Sequence, residues 1–539
     1  QPALLDRLLQ AQDPNARAYA ARITGRWHDR LDAPLELLTP RIADEHARVR
    51  MEAVLACAAI ASPHSIEVAA AVVDKPMDSW IQYAFKQAVH QLQPHWMPAF
   101  KEGTASFARP SHLAAVLNET GGRDVLASLQ RLLDSRDLAP PARASAIATI
   151  LTVGGPRELT TYGLDPKRFT RSGQYNAAAH ADALVKLIEV ARFRDVKPAG
   201  DLAKALQYLI QHPHPRLQAS ALTLAGTWNV KKTAATVLDA ARNDELPVSV
   251  RAAALEAMVE MKLPASRELL VAYAANSNPA ALRSAAIKSL AAIDTQAAAR
   301  QAAQLFAESD LRSLDPATTL VAFLNRSGGA QALAAALEAR NLKPDSARQL
   351  LAALFTTGHS DKVLLDVLNQ SIGSFRQTPD YSKRYVLQLV SDAQQQGNAE
   401  RGKQLFKTVA CASCHKVGGS GGKIGPDLTA IGTTLSAERI TEELLWPNRQ
   451  VKEGYSVVRV ITDAGKIHQG YQRKTKESEA AGNLVLKDLA TGKLITFKKQ
   501  QIDQQQTTGS VMPGKLTALL SESQLLDLIE YLSELGRIK

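Results

Sequence analysis

Cysteine is scarce in this chain of 539 residues: there are three, and two of them stand in Cys411-Ala412-Ser413-Cys414-His415. Two thiols three positions apart, followed at once by an imidazole, is the order needed to attach a haem covalently. The thiols add across its vinyl groups, and the adjacent histidine is carried beneath the ring, where it can bind iron. The same cysteine pair could serve two other chemistries. A thioredoxin-like redox pair would sit in a βαβ context, and half a zinc site would need a second pair of Cys or His ligands. Neither is present, since His468 is the only other histidine after residue 395. The third cysteine, Cys57, lies in the run AVLACAAIA and reads as a small buried hydrophobe.

The motif needs elements on both sides to position it. Residues 398–409 (NAERGKQLFKTV) form an amphipathic helix pattern that runs straight into it, with Gly402 and Phe406 one turn apart. Near the C-terminus Ser521-Glu522-Ser523-Gln524 is a helix-start signal, and LLDLIEYLSEL continues that helix to a stop at Gly536. A small residue on the first helix and the aromatic Tyr531 on the last suit two helices that cross closely. Between them, YSVVRVITDAGKIHQGYQRK and NLVLKDLATGKLITFKKQQI each read as two strands around a glycine-containing turn, which predicts a small sheet at about 455–505. Of six methionines, five (Met51, Met77, Met97, Met258, Met261) lie upstream and read as core filling, and only Met512 stands in this segment.

From residue 1 to about 395 the pattern is helix after helix, broken by Pro, Asp, Asn or Gly. Turn-then-helix segments keep phase: Arg17, Arg50 and Gln82 are separated by 33 and 32 residues, and so are Gln218, Arg251 and Arg283. A two-helix unit of that length with alanines at the crossings is the signature of an α-solenoid of HEAT-like repeats. The phase weakens between about 95 and 205, where residues 163–176 (GLDPKRFTRSGQYN) look like an inserted loop, either a solvated insertion or a contact surface. His212 and His214, flanked by prolines, read as a polar turn between helices. The polar run SDAQQQGN marks a linker, so the expected domains are 1–395 and 396–539.

The net charge is +11, and residues 396–539 hold 20 Lys and Arg against 15 Asp and Glu, so the basicity is diffuse. Nucleic-acid binding would want a concentrated stripe, and none is legible. No run of about 18 apolar residues is present, so no transmembrane segment is expected. Phosphate loops and nucleophile elbows are absent as well. The chain opens on Gln1 with a helical pattern and shows no signal peptide, as a processed protein or a piece of a longer one would.

The order of motifs, from GKQLFKTVACASCHKVGGSGGKIGPDLTAIG through LLWPNRQVKEGY and the paired strands to GSVMPGKLTALLSESQLLDLIEYL, resembles the planctomycete and verrucomicrobial type of haem-binding domain, a class I cytochrome c-like fold. The likeness covers roughly residues 398–539. It implies one covalent haem c held by Cys411 and Cys414, with His415 as an iron ligand. In the family a proline carbonyl after the motif accepts a hydrogen bond from the proximal imidazole, which assigns that part to Pro426. An axial methionine just before the last helix corresponds to Met512, with His468 or an open site as rivals. Trp446 has two readings, against the haem edge or as a plug where sheet meets helices.

Larger members of the family carry this domain behind HEAT-like repeats, and often behind an N-terminal β-propeller resembling sugar or sorbosone dehydrogenases. No propeller is present here, so a dehydrogenase activity does not carry over. The resemblance implies a mainly α chain: a HEAT-like α-solenoid followed by a class I cytochrome c domain with an inserted β-sheet. Three functions are compatible with it. The first is electron transfer between a dehydrogenase donor and a cytochrome or oxidase acceptor, in the periplasm, where c-type haem is attached. The second is a haem peroxidase or gas-ligand sensor with an open sixth site. The third is a HEAT scaffold whose haem is structural.

Overall fold

The computed structural model describes residues 2–102, 107–122, 125–134, 138–194, 196–275, 277–309, 311, 314–357, 359, 361–373, 378–408, 411–463, 465–473, 482–489, 492–512, 514 and 516–537. Some helices begin where the sequence sets a capping oxygen before a proline. Asp13 accepts from the Asn15 N–H ahead of Pro14, and Asp315 accepts from the Thr318 N–H around Pro316. The cap satisfies an orphan donor, and proline occupies a position whose N–H has no helical partner. The chain forms two compact units, Gln1–Thr236 and Val237–Lys539. The compositional boundary at 395/396 therefore falls inside the second unit.

In the first unit α1 (Pro14–Arg26) packs on α2 (Ala47–Ala58), and α2 on α3 (Ser79–Glu102). The repeating Arg or Gln has a physical task. Arg17 donates to the carbonyls of Ala11 and Gln12, both at 2.8 Å, and Arg50 to those of Asp44 and Glu45, again at 2.8 Å. Gln82 reaches Met77 O at 3.3 Å and Gln218 reaches Ile210 O at 3.0 Å. Each side chain bonds a carbonyl at the end of the preceding helix or in the turn after it, where helical partners run out. Cys57 is fully buried, and burial pushes its thiol up to about 12, as a core residue. His214 lies in the turn before the helix Pro215–Thr227, its N–H donating to His212 Nδ1 at 3.1 Å.

Next come α4 (Pro140–Val153), α5 (Ala177–Phe193) and α6 (Pro215–Thr227), with α5 packed on both neighbours. The insertion at 163–176 is not a loose solvated loop. It ends in a two-strand hairpin, Thr170–Arg171 with Gln174–Tyr175, closed by Ser172 and Gly173 at φ of 48° and 78°. Two positive φ values in a two-residue turn match the twist of the strands. His180 of α5 pins it: its Nε2 donates to Gly163 O at 2.8 Å, its Nδ1 accepts from the Tyr175 hydroxyl at 2.6 Å, and its ring stacks on buried Phe169 at 4.0 Å.

The second unit begins with more paired helices, among them α7 (Val248–Glu260) and α8 (Ala280–Leu290). Here the repeat position diverges. Arg283 still donates to a carbonyl, Ala274 O at 3.3 Å, whereas the Arg251 guanidinium lies over the Tyr273 ring. After α9 (Pro344–Thr356) and α10 (Lys383–Gln396) come α11 (Ala399–Thr408), the short α12 (Cys411–Cys414), α13 (Ala437–Leu445) and α14 (Glu522–Glu534). Helix α14 packs on α10, α11 and α13.

An antiparallel sheet of five strands lies between α13 and α14: β1 (Val457–Thr462), β2 (Ile467–Arg473), β3 (Leu484–Asp488), β4 (Leu494–Phe497) and β5 (Ile502–Gly509), in the order β4-β3-β2-β1-β5. Four of these answer to the paired strand patterns. The fifth, glutamine-rich and largely exposed, carries no alternating apolar signal and pairs with β1 along its length. Of the two turns expected between strands, Ala464, Ala490 and Thr491 lie outside the described residues. Val458, Val460, Leu484, Leu486 and Phe497 form one apolar cluster, and Val457, Tyr471 and Leu489 a second one.

Candidate functional site

The frame of the site is the crossing of α11 and α14. A Cβ on Gly402 would lie 2.0 Å from the Asp527 carbonyl oxygen, so only glycine permits this approach. Phe406 and Tyr531 meet beside it with ring centroids 5.7 Å apart. Asp527, 4 % exposed, accepts from the Asn398 N–H at 2.7 Å and takes both arms of Arg401 at 2.8 Å. Those bonds hold its carboxyl below the usual range and clasp the first helix to the last.

Helix α11 leads toward the motif. The His415 N–H donates to Cys411 O at 2.9 Å, and the Gly422 and Gly425 N–H groups donate to Ala412 O and Cys414 O at 2.8 and 2.9 Å, which folds the following loop back over the motif. That fold brings Pro426 to His415: Nδ1 donates to the Pro426 carbonyl at 2.9 Å. Gly425 lies against the ring face, where a Cβ would come within 2.6 Å of His415 Cε1. Burial pushes the imidazole down from its ordinary value, so it is neutral at pH 7. With the proton fixed on Nδ1, the lone pair of Nε2 is available to a metal, and Nε2 has no protein partner among the described residues.

Burial pushes the Cys411 thiol up to about 12 and raises Cys414 as well, so both are protonated at neutral pH in the chain as it stands. They form no disulfide, and among the described residues no group of three or more His, Cys, Asp or Glu could hold a metal ion. Cys414 Sγ donates to Phe355 O of α9 at 3.3 Å, so the motif is seated on the last helical repeats.

Met512 lies on the segment that leaves β5. The Ser510 N–H donates to Asn448 Oδ1 at 2.8 Å, and the Met512 N–H to Ser510 Oγ at 3.1 Å, which ties the strand exit to the turn after α13. Val511 packs on the cluster of Val457, Tyr471 and Leu489 together with Ile424, two positions before Pro426. The haem loop and the methionine segment therefore share one apolar wall. Met512 itself is half-buried, and Pro513 lies outside the described residues. His468 is paired with Val460, in register with the other face of the sheet, and its ring meets Phe497 at 5.0 Å. It shares no cluster with Ile424 or Val511.

Trp446 meets the segment that leads into α10. An indole N–H in such a place needs an acceptor, and it finds Pro379 O at 3.0 Å, with the Tyr381 ring at 5.4 Å and the Tyr385 ring at 6.4 Å. Sequence reasoning missed the Asp527–Arg401 clasp, the apolar wall around Tyr471, and the Asn448 tie. All three depend on pairs far apart in the chain that no local pattern announces.

Comparison with known proteins agrees with this geometry. Residues 399–536 match the cytochrome c family, and residues 2–89 and 202–291 match HEAT repeats. No curated protein matches the chain. Among solved structures, a crystal structure of Kap121p is 14% identical at a TM-score of 0.29, covering 87% of this chain and 51% of its own. One of importin beta is 11% identical at a TM-score of 0.35, covering 76% of this chain and 62% of its own. The chain thus spans about half to three-fifths of the length of those proteins. Among the described residues no helix is long and apolar enough to cross a membrane.

Proposed function

We propose that this chain, a cytochrome c domain carried behind HEAT-like repeats, is a periplasmic electron-transfer protein with one covalent c-type haem. The observation that carries the reading is the state of His415: half-buried, neutral, its Nδ1 proton held by Pro426 O at 2.9 Å, and its Nε2 without a protein partner among the described residues, on the residue that follows Cys414 in the chain. Cys411 and Cys414 would form the two thioether links, His415 Nε2 the proximal bond to iron, and Met512 the distal one. When bound, a haem so ligated supplies one-electron Fe(III)/Fe(II) exchange, at a potential raised by the methionine. The residues of this chain do the rest. Pro426 fixes the imidazole and raises its basicity, Gly425 leaves room for the ring, and the wall of Ile424, Tyr471 and Val511 keeps water away.

The donor would be a dehydrogenase and the acceptor a cytochrome or an oxidase, docked or spaced by the repeats, as extended helical arrays commonly do. Covalent haem attachment takes place outside the bacterial cytoplasm, which supports the periplasmic location. The test is expression with a haem-attachment system, followed by denaturation. The expected result is the mass of one haem retained on the chain, lost when Cys411 and Cys414 are both replaced by serine. Haem that washes out of the denatured parent, or none at all, would contradict the reading.

A further inference from the structure

The first unit holds an open cleft of about 820 Å³ between α4, the pinned hairpin and α5, lined also by His214. Its volume is in the range of clefts that take small organic molecules. Four cations line it, Arg143, Arg168, Arg171 and Lys186, the last paired with Glu189 at 3.2 Å, and the lining holds the single carboxylate of Asp182. That carboxylate is already engaged by Arg216 at 2.6 Å. The rest of the lining is mostly apolar, with the alanine side chains of Ala144, Ala148, Ala179 and Ala183 and the rings of Phe169 and Tyr175.

The cations are also held in place. Arg143 donates to Leu133 O at 2.6 Å, and Arg168 is fixed by Asp134 at 2.6 Å and by the Tyr162 ring at 4.8 Å. Arg171 rides on the hairpin that His180 pins, one of whose strands it begins with Thr170. Burial and the nearby charges of Arg171 and Arg168 pull the Arg143 guanidinium below its ordinary value. Clustered guanidinium groups at a partly apolar surface favour an anion placed among them. Fixed donors lose little freedom on binding one.

We propose that this cleft binds a small organic anion, a carboxylate or phosphate ester joined to an apolar body, its charge between Arg143, Arg168 and Arg171 and its body against the alanines and Phe169. The hairpin at 163–176 is then a binding element built into the repeat stack rather than a tolerated insertion.

The test is titration calorimetry of the full chain with octanoate, octyl phosphate and the uncharged octanamide. Binding of either anion, at least tenfold tighter than the amide and weakened by salt, is expected, and the tighter of the two anions names the headgroup. Arg171→Gln, at an exposed position, should lower the affinity for that anion about tenfold with the melting temperature unchanged. Ala144→Trp should block binding by filling the cleft without touching a charge. Equal affinity for octanamide, no binding of either anion, or an Arg171→Gln variant that binds as the parent does would overturn the proposal.

Discussion

Two histidines, one in each compact unit, set side by side an imidazole with both nitrogens used and one with a nitrogen to spare. His180 and His415 are both driven neutral by burial, and each donates one ring proton to a backbone carbonyl, Gly163 O at 2.8 Å and Pro426 O at 2.9 Å. They differ in the second nitrogen. Nδ1 of His180 accepts from the Tyr175 hydroxyl at 2.6 Å, so both of its bonding positions are used. Nε2 of His415 has no such partner among the described residues, and two cysteines precede it in the chain. His359 repeats the structural case, with Nδ1 on Thr357 O at 3.0 Å and Nε2 on Asn325 Oδ1 at 2.7 Å. A carbonyl partner is common to all three; the spare nitrogen is not.

The comparison breaks most visibly at His415. His415→Gly should abolish the low-spin haem spectrum, with added imidazole restoring it, while His180→Phe should leave the spectrum of the loaded protein unchanged. A spectral change in the His180 variant would erase the distinction. Gly425→Ala is the next sharpest probe. Its Cβ within 2.6 Å of the ring forces the imidazole or the loop to move, an overpacking cost of about 1–3 kcal/mol. A lower melting temperature together with a shifted Soret band is expected, and an unaltered band would show that the ring is not held from that side.

The pH response separates the two sites as well. His180 is lowered to about 4, against about 6.5 in an unfolded chain. Between those values the unfolded chain binds a proton that the folded one does not. The stability His180 gives is therefore complete above about 6.5 and is lost as pH falls toward 4. Amide exchange over residues 160–180 should accelerate through that window in the parent, and the acceleration should flatten in His180→Phe. Asp527, held low by Arg401, works further into acid: its contribution is present above the unfolded carboxylate value near 3.9 and fades below it. Asp527→Ala should destabilise the haem segment at neutral pH by about 1–2 kcal/mol, through the bond lost at the Asn398 N–H. Parent and variant melts should converge in acid. The smallest effect is expected at Tyr175→Phe, which leaves Nδ1 of His180 without its donor and costs about 1 kcal/mol in the first unit, read by thermal melts.

Legibility in the sequence follows the same division. The motif of Cys411, Cys414 and His415 is readable because attachment chemistry demands adjacency, and adjacency is what a sequence records. The repeat is readable because Arg17, Arg50, Gln82, Gln218 and Arg283 perform one local task, bonding a carbonyl five to nine residues upstream. Pro426 was named through the family resemblance, and the structure supplies its bond. What escaped are features made by distant partners. Arg401 and Asp527 lie 126 residues apart, and Trp446 meets Pro379 67 residues upstream. Strand β5 escaped for another reason: its side chains are mostly exposed, so no alternation marks it, and pairing with β1 alone defines it.

The most direct measurement is the optical spectrum of the haem-loaded protein, oxidised and reduced, with and without carbon monoxide, for the parent and for Met512→Ala. Ligation by His415 and Met512 predicts a low-spin parent that ignores carbon monoxide and a variant that binds it. A parent that already binds carbon monoxide would contradict that ligation and point to an open sixth position.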